Sequence, residues 1–222
     1  MFWANVKQKW VSFFSSLRSI FSLSAEGSSR KKYLLSILAV VLIFVLLIGM
    51  YWSREPAEFS VAQNANEKLA LSGNDYVVGA ASTAAMIRVA ETLLHKPGGY
   101  LSNDVMPPGL YLDNIPNWEF GALVQVRDLS GAFRESFSRS QSQSVEDPDL
   151  IVSEPNFHFD TNSWLFPPSE SEYTEAIERL YSYLGRIADP QNVDAQFYAR
   201  ADNLVSWLLD VESRLGSLSQ RL

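Results

Sequence analysis

Cysteine is absent from all 222 residues. That removes disulfides and thiolate metal ligation, and an oxidising compartment tolerates the absence without demanding it. Histidine is nearly as scarce, with His95 and His158 the only two, whereas a metal site normally needs three or four ligands. No metal and no cofactor is expected. G-x-S-x-G, H-E-x-x-H and P-loop motifs are also missing, and S-x-x-K occurs only as Ser28 with Lys31 and Ser29 with Lys32, beside a basic cluster. A carboxylate-based site would escape such a scan, so the enzyme reading rests on aspartate and glutamate alone.

One further absence is local. Tyr33 to Tyr51 holds no charge, and Ser36 is its one strong polar group. At 1.5 Å of rise per residue the stretch is roughly 28 Å long, close to the ~30 Å hydrocarbon thickness of a bilayer. Thirteen of the seventeen residues from Leu34 to Met50 are Leu, Ile, Val or Phe, with no polar face of the kind a soluble helix keeps. On insertion scales they favour the bilayer by roughly 4 to 8 kcal/mol. The stretch reads as a transmembrane helix. The competing reading is a cleaved signal peptide, against which stand the long apolar run, the long basic region before it and the lack of a small-x-small site after Met50.

Positive charge is scarce after this helix and acid is scarce before it. Lys7, Lys9, Arg18, Arg30, Lys31 and Lys32 face one acid, Glu26, a net of 6 − 1 = +5; from Arg54 to Leu222 the balance is 12 − 24 = −12. Arg30, Lys31 and Lys32 abut the apolar run, so the positive-inside bias predicts a cytoplasmic N-terminus and an exported C-terminal part, periplasmic in a bacterium. An exported region at −12 repels polyanions, so nucleic acid is not an expected partner. The expected organisation is a cytoplasmic amphipathic helix and elbow over 1–29, an anchor over 30–53 and a periplasmic helical domain over 54–222, with the inner membrane as location. The fold class is mainly α: a single-pass transmembrane helix, then an all-α helical bundle with long ordered loops.

Residues 2 to 21 carry a second membrane signal. Phe2, Trp3, Val6, Trp10, Phe13, Phe14, Leu17, Ile20 and Phe21 fall within about 120° of a helical wheel. Trp3, Trp10 and Phe14 are the expected apolar membrane contacts, and Arg30, Lys31 and Lys32 the headgroup contacts. Packing of this stripe on another protein's helix is the alternative.

Pro56 is expected to open a helix over Ala57 to Leu71, which Gly73-Asn74 ends. Ala80 to His95 reads as a central helix, apolar except for Arg88, Glu91, Thr92 and His95 at i, i+3, i+4, i+7. Glu91 and His95 could handle a proton; a salt-bridged face is the simpler reading.

Tyr100 to Trp118 is broken by Pro107-Pro108-Gly109 and Pro116, yet rich in large apolar residues. It is too proline-broken for a long helix and too apolar for a flexible linker, which predicts an ordered loop pinned to the bundle. The candidate binding residues are Asp104, Tyr111, Asp113, Trp118 and Glu119. Two of the acids facing each other across a cleft about 5 to 10 Å wide would favour hydrolysis of a glycosidic bond; capping and turn chemistry explains them more simply. Plugging of the bundle by the loop's apolar groups is a further alternative.

Asn117 is the expected N-cap of a helix carrying Ala122, Val126, Leu129, Phe133 and Phe137 on one face. Ser138 to Asp149 reads as surface loop, and Ile151 to Pro168 as an aromatic loop with a short strand at Asn156 to Phe159. Ser169 and Glu172 form a capping box for a helix lined by Tyr173, Ile177, Leu180, Leu184 and Ile187 and ended by Asp189-Pro190. Finally Phe197, Ala201, Leu204, Leu208, Val211, Leu215 and Leu218 recur at alternating spacings of four and three. That seam suits either a coiled-coil dimer or packing within the domain's own bundle, and the flanking Val205 and Trp207 favour the bundle.

The runs Gly98 to Gly109 (GGYLSNDVMPPG), Pro116 to Gly121 (PNWEFG), Phe137 to Ser142 (FSRSQS) and Ala195 to Asn203 (AQFYARADN), behind one membrane helix, resemble an uncharacterised bacterial inner-membrane family, domain of unknown function twenty-three thirty-three. The resemblance covers roughly Tyr51 to Leu222. It implies the envelope topology and carries over no activity and no site residue. Two functions therefore stand: a non-enzymatic envelope scaffold or partner-binding module, whose partners are the lipid bilayer and other envelope proteins, and a periplasmic cell-wall hydrolase using loop carboxylates.

Overall fold

The structure is a computed structural model that describes residues 29–72, 76–140 and 145–220. Two units are distinguished, Met1–Met50 and Tyr51–Leu222. The amphipathic stretch with Trp3, Trp10 and Phe14, the elbow over residues 22–28 and the Gly73-Asn74 stop lie outside the described residues.

Helix α1 (Ser29–Trp52), which lies in the first unit up to Met50, extends the apolar run by one turn at its start. Arg30, Lys31 and Lys32 are exposed in that turn, and the Ser36 hydroxyl donates to the Lys32 carbonyl at 2.9 Å, so its polarity is satisfied within the helix. Within Arg30–Trp52 the most apolar 18-residue window has mean hydropathy 2.9 and is almost wholly unburied, and the helix is long and apolar enough to cross a membrane.

The second unit is helical throughout, with no strand among the described residues. Its elements are α2 (Val61–Ser72), α3 (Ala80–His95), α4 (Asn114–Ala132) running into a π-type turn (Phe133–Phe137), α5 (Pro148–Phe157), α6 (Ser169–Ala188) and α7 (Ala201–Ser219). Ordered loops over 96–113, 158–168 and 189–200 connect them. The centre is α3 against α6, with α2 and α4 flanking α3 and α5 along α6. Alanines at 80, 84 and 90 let the neighbours approach α3 closely, while Met86, Ile87 and Leu93 fill the gaps. On α6 the buried face is Tyr173, Ala176, Ile177, Leu180, Tyr183 and Leu184, the 3.6-residue period read from the sequence. Gly79 opens α3 at φ 89°, and a side chain there would run into the Phe197 ring, so glycine is needed both for its conformation and for its space.

Several local expectations differ. The helix after Pro56 starts only at Val61, where the Ser60 hydroxyl accepts from the Gln63 amide. Helix α4 starts at Asn114, three residues before the expected cap; Pro116 is accommodated in the first turn, where amides lack intrahelical partners anyway. Residues 148–157, expected as loop with a short strand beginning at Asn156, form α5: Asp147 caps its start, accepting from the amides of Asp149 (3.0 Å) and Leu150 (3.3 Å), with Pro148 at the first position. The Ser169 hydroxyl donates to the carbonyls of Asp160 (2.6 Å) and Ser163 (3.0 Å) and so ties down a loop instead of closing a capping box.

The polar stripe of α3 is a salt-bridged face. Glu91 accepts from Lys68 at 2.8 Å and from the Tyr181 hydroxyl at 2.5 Å, and the imidazole of His95 meets the Glu91 carbonyl at 2.9 Å. Helix α7 departs most from expectation. It pairs extensively with no other helix, and Leu204, Leu208, Leu215 and Leu218 are exposed where burial in the bundle was anticipated.

Candidate functional site

The ordered loop after α3 is built around a buried ion pair. Lys96 follows the last turn of α3, and Gly98 and Gly99 then take left-handed conformations, φ 91° and 73°, that turn the chain back over the helix end. Glu119, one turn into α4, is wholly enclosed, at 0 % exposure. One of its oxygens accepts from the Leu101 amide at 2.9 Å, the other from the Ser102 amide at 2.8 Å and from the Ser102 hydroxyl. The Lys96 ammonium contacts the first oxygen and also donates to the Gly99 carbonyl. Every direction around the carboxylate is therefore taken, and Glu119 acts as a positioning residue that holds the loop to α4 and α3.

A second loop is fastened to the first. The buried Asn103 amide donates to the Ser163 carbonyl and to the Glu170 carboxylate, both at 2.8 Å. The Tyr100 hydroxyl donates to the Thr161 carbonyl at 3.3 Å, and its ring meets Tyr173 edge-on at 5.5 Å. From below, Arg127 donates to the carbonyls of Phe157 (2.6 Å) and Phe159 (2.9 Å). Two loops 60 residues apart in sequence thus share one hydrogen-bonded base.

Beyond that base the loops present apolar side chains to solvent. Val105, Met106, Leu110 and Tyr111 are exposed on the first, and Trp164, Leu165 and Phe166 on the second; Tyr111 is 77 % and Phe166 93 % exposed. Tyr100, Leu101 and Ile115 point the other way and are buried. The plugging reading and the surface reading of this segment therefore hold for different residues of it.

The five candidate loop residues separate accordingly. Tyr111 is exposed on the first loop. Asp113 is exposed just before α4, its carbonyl accepting from the amide and side chain of Asn117. Trp118 is half-buried against the core and Glu119 is enclosed. Asp104 is half-buried beside Gly109, whose missing side chain makes room for it. Lys96, Asn103 and the 164–166 tip were not legible as parts of this site. A lysine ending a helix reads as a solvated dipole partner, and nothing in sequence links residue 103 to residue 163.

Burial pushes the Asp104 carboxyl above its ordinary value, with Glu170 and Glu119 adding and Lys96 opposing. A raised folded-state pKa contributes stability that is fully present below the ordinary value of 3.8 and is lost as pH rises through the folded value. Asp104→Asn is therefore expected to unfold at a higher temperature than the parent at pH 7, with the gap closing toward about pH 3.5. Thermal scans at the two pH values check this; an equal gap at both would show that the charge is not the cause.

Among the described residues, no group of three His, Asp or Glu side chains is placed to hold a metal ion. Residues 26–222 match the model of a family described as "Uncharacterized protein conserved in bacteria (DUF2333)". No curated protein and no solved structure matches the chain.

Proposed function

From a chain that belongs to the uncharacterised bacterial family DUF2333, we propose a bitopic envelope protein. In this reading α1 anchors it in the inner membrane with the N-terminus cytoplasmic, and the second unit stands in the periplasm as a non-enzymatic module that binds another envelope protein. The anchor is supported by the hydropathy and exposure of Arg30–Trp52, and the orientation by Arg30, Lys31 and Lys32 against a following net charge of −12.

The binding reading is carried by one observation, the exposure of Val105, Met106, Leu110, Tyr111, Trp164, Leu165 and Phe166 on two loops tied to one base. A monomer gains nothing by holding an aromatic side chain almost fully in water, and large exposed apolar groups on a rigid base mark contact surfaces. The base is rigid because its polar groups are paired. The carboxylate hydrolase is less well supported, since Glu119 is enclosed and fully engaged, and reaction chemistry needs an acid that substrate can touch.

The lack of native cysteine makes a direct test possible. Tyr111→Cys and, for comparison, Ser140→Cys are reacted in cells with a permeabilised outer membrane, using a membrane-impermeant maleimide that bears a photoactivatable arm. Both positions should label, and irradiation should give a discrete adduct with an exported envelope protein from position 111 and none from 140. Failure of both to label would overturn the orientation. Labelling with no adduct specific to position 111 would overturn the binding reading.

A further inference from the structure

We propose that α7 is a self-association helix, whose apolar stripe is covered by the same stripe of a second copy of this chain. The inference goes beyond the loop-binding reading and uses none of its residues.

The helix is turned so that its polar side faces its own domain. Ser206, Asp210, Ser213 and Ser217 line an open, polar groove of about 560 Å³ across from α4 and the π-type turn, and Arg214 spans the groove to pair with Asp128 at 2.6 Å. Asn203 fixes the start of the helix, donating to the Ser136 carbonyl at 2.8 Å and the Tyr198 carbonyl at 3.1 Å. Trp207 is the one large apolar side chain of α7 packed against the core cluster. Leu204 borders an apolar groove beside Phe133 and Phe197 and Val211 is half-buried, while Val205, Leu208, Leu209, Leu215 and Leu218 point outward, each about half exposed or more. An amphipathic helix docked on its polar side leaves its main source of stability unused.

The spacing indicates what covers it. Ala201, Leu204, Leu208, Val211, Leu215 and Leu218 alternate at three and four residues, a 3.5-residue period. A globular helix tracks 3.6; a repeat of 3.5 keeps one seam facing a partner helix as the two supercoil. Two copies of one such seam are complementary to each other, as a two-fold symmetric interface requires. A lipid surface fits less well, because Asp202, Asp210 and Glu212 outnumber Arg214 among the charges of α7, and amphipathic helices that lie on membranes are rich in lysine and arginine. Of the two residues that flank the seam, Trp207 is drawn toward the core while Val205 stays exposed beside it.

The full chain, purified in a mild detergent and then in lipid nanodiscs, is sized by light scattering beside Leu208→Glu/Leu215→Glu. The parent should have twice the chain mass and the variant the single-chain mass, with unchanged helical content by circular dichroism. A second arm avoids the charge change: Leu215→Cys should give a disulfide-linked dimer under mild oxidation and Ser213→Cys, on the polar side, should not. A monomeric parent, a double variant that remains dimeric, or equal crosslinking from positions 215 and 213 would each overturn the proposal.

Discussion

Glu119→Ala is expected to lower the unfolding temperature of the second unit by about 6 to 20 °C: breaking one side of a buried ion pair costs about 3–5 kcal/mol, and each kcal/mol is about 2–4 °C in a domain of this size. The size of the effect follows from what is left behind. Lys96, 1 % exposed at its side chain, would keep a buried charge without its contacting carboxylate, and the amides of Leu101 and Ser102 would lose their acceptor. Glu119→Gln should cost less than alanine, because it retains an acceptor for one of those amides while removing the charge. Lys96→Met/Glu119→Leu should recover part of the loss, since no charge is then stranded, but not all of it, since both amides remain unpaired. Thermal unfolding of the full chain in detergent, followed by circular dichroism, ranks the four proteins. An alanine variant within about 1 kcal/mol of the parent would contradict the enclosed geometry.

Phe133→Ala should have an effect of similar size for a different reason. Its ring is fully buried and meets Phe197 edge-on at 5.3 Å and Phe137 at 5.9 Å, while Phe137 stacks on Phe197 at 5.1 Å. Truncation loses the transfer free energy of the ring and leaves a cavity, together about 3–5 kcal/mol. The space would open onto an apolar groove of about 610 Å³ lined by Phe133, Phe137, Phe197 and Leu204. Phe197 sits four residues before α7, and the Phe137 carbonyl accepts from the Tyr198 amide at 2.7 Å. Loss of Phe133 should therefore loosen the start of α7 before the rest of the bundle. Hydrogen exchange by mass spectrometry checks the distribution: protection should fall first over residues 197–207, and uniform loss across α3 and α6 would show that the three-ring cluster does not hold α7 in place.

Legibility followed the range of the physics involved. The bounds of α3 were read from the apolar run Ala80 to His95, and its salt-bridged stripe from the i, i+3, i+4 spacing. Helix α5 was missed although Asp147-Pro148 is a start signal, because Pro155 lies within its ten residues and the segment is short, so periodicity had little to register. The Ser169 capping box failed because a stronger claim on the hydroxyl came from Asp160 and Ser163, carbonyls whose position depends on the loop's fold. At the site, proline content and apolar content together identified an ordered loop. They did not separate Tyr100 and Leu101, which turn inward, from Met106 and Tyr111, which turn out.

By itself the sequence determined the mainly helical class, the one apolar segment able to span a membrane, the charge asymmetry around it and the 3.5-residue seam near the C-terminus. Each of these is a periodicity or a count along the chain, decided by neighbours within a few turns. Only the tertiary structure decided that Lys96 and Glu119 pair in a sealed site, that the 103–111 and 163–166 loops share a base, and that α7 docks on its polar side. Those outcomes depend on which distant groups compete for the same few buried positions, and desolvation makes that competition decisive: a buried charge or amide must find a partner wherever the fold supplies one, while an apolar side chain left over can remain in water at a modest cost.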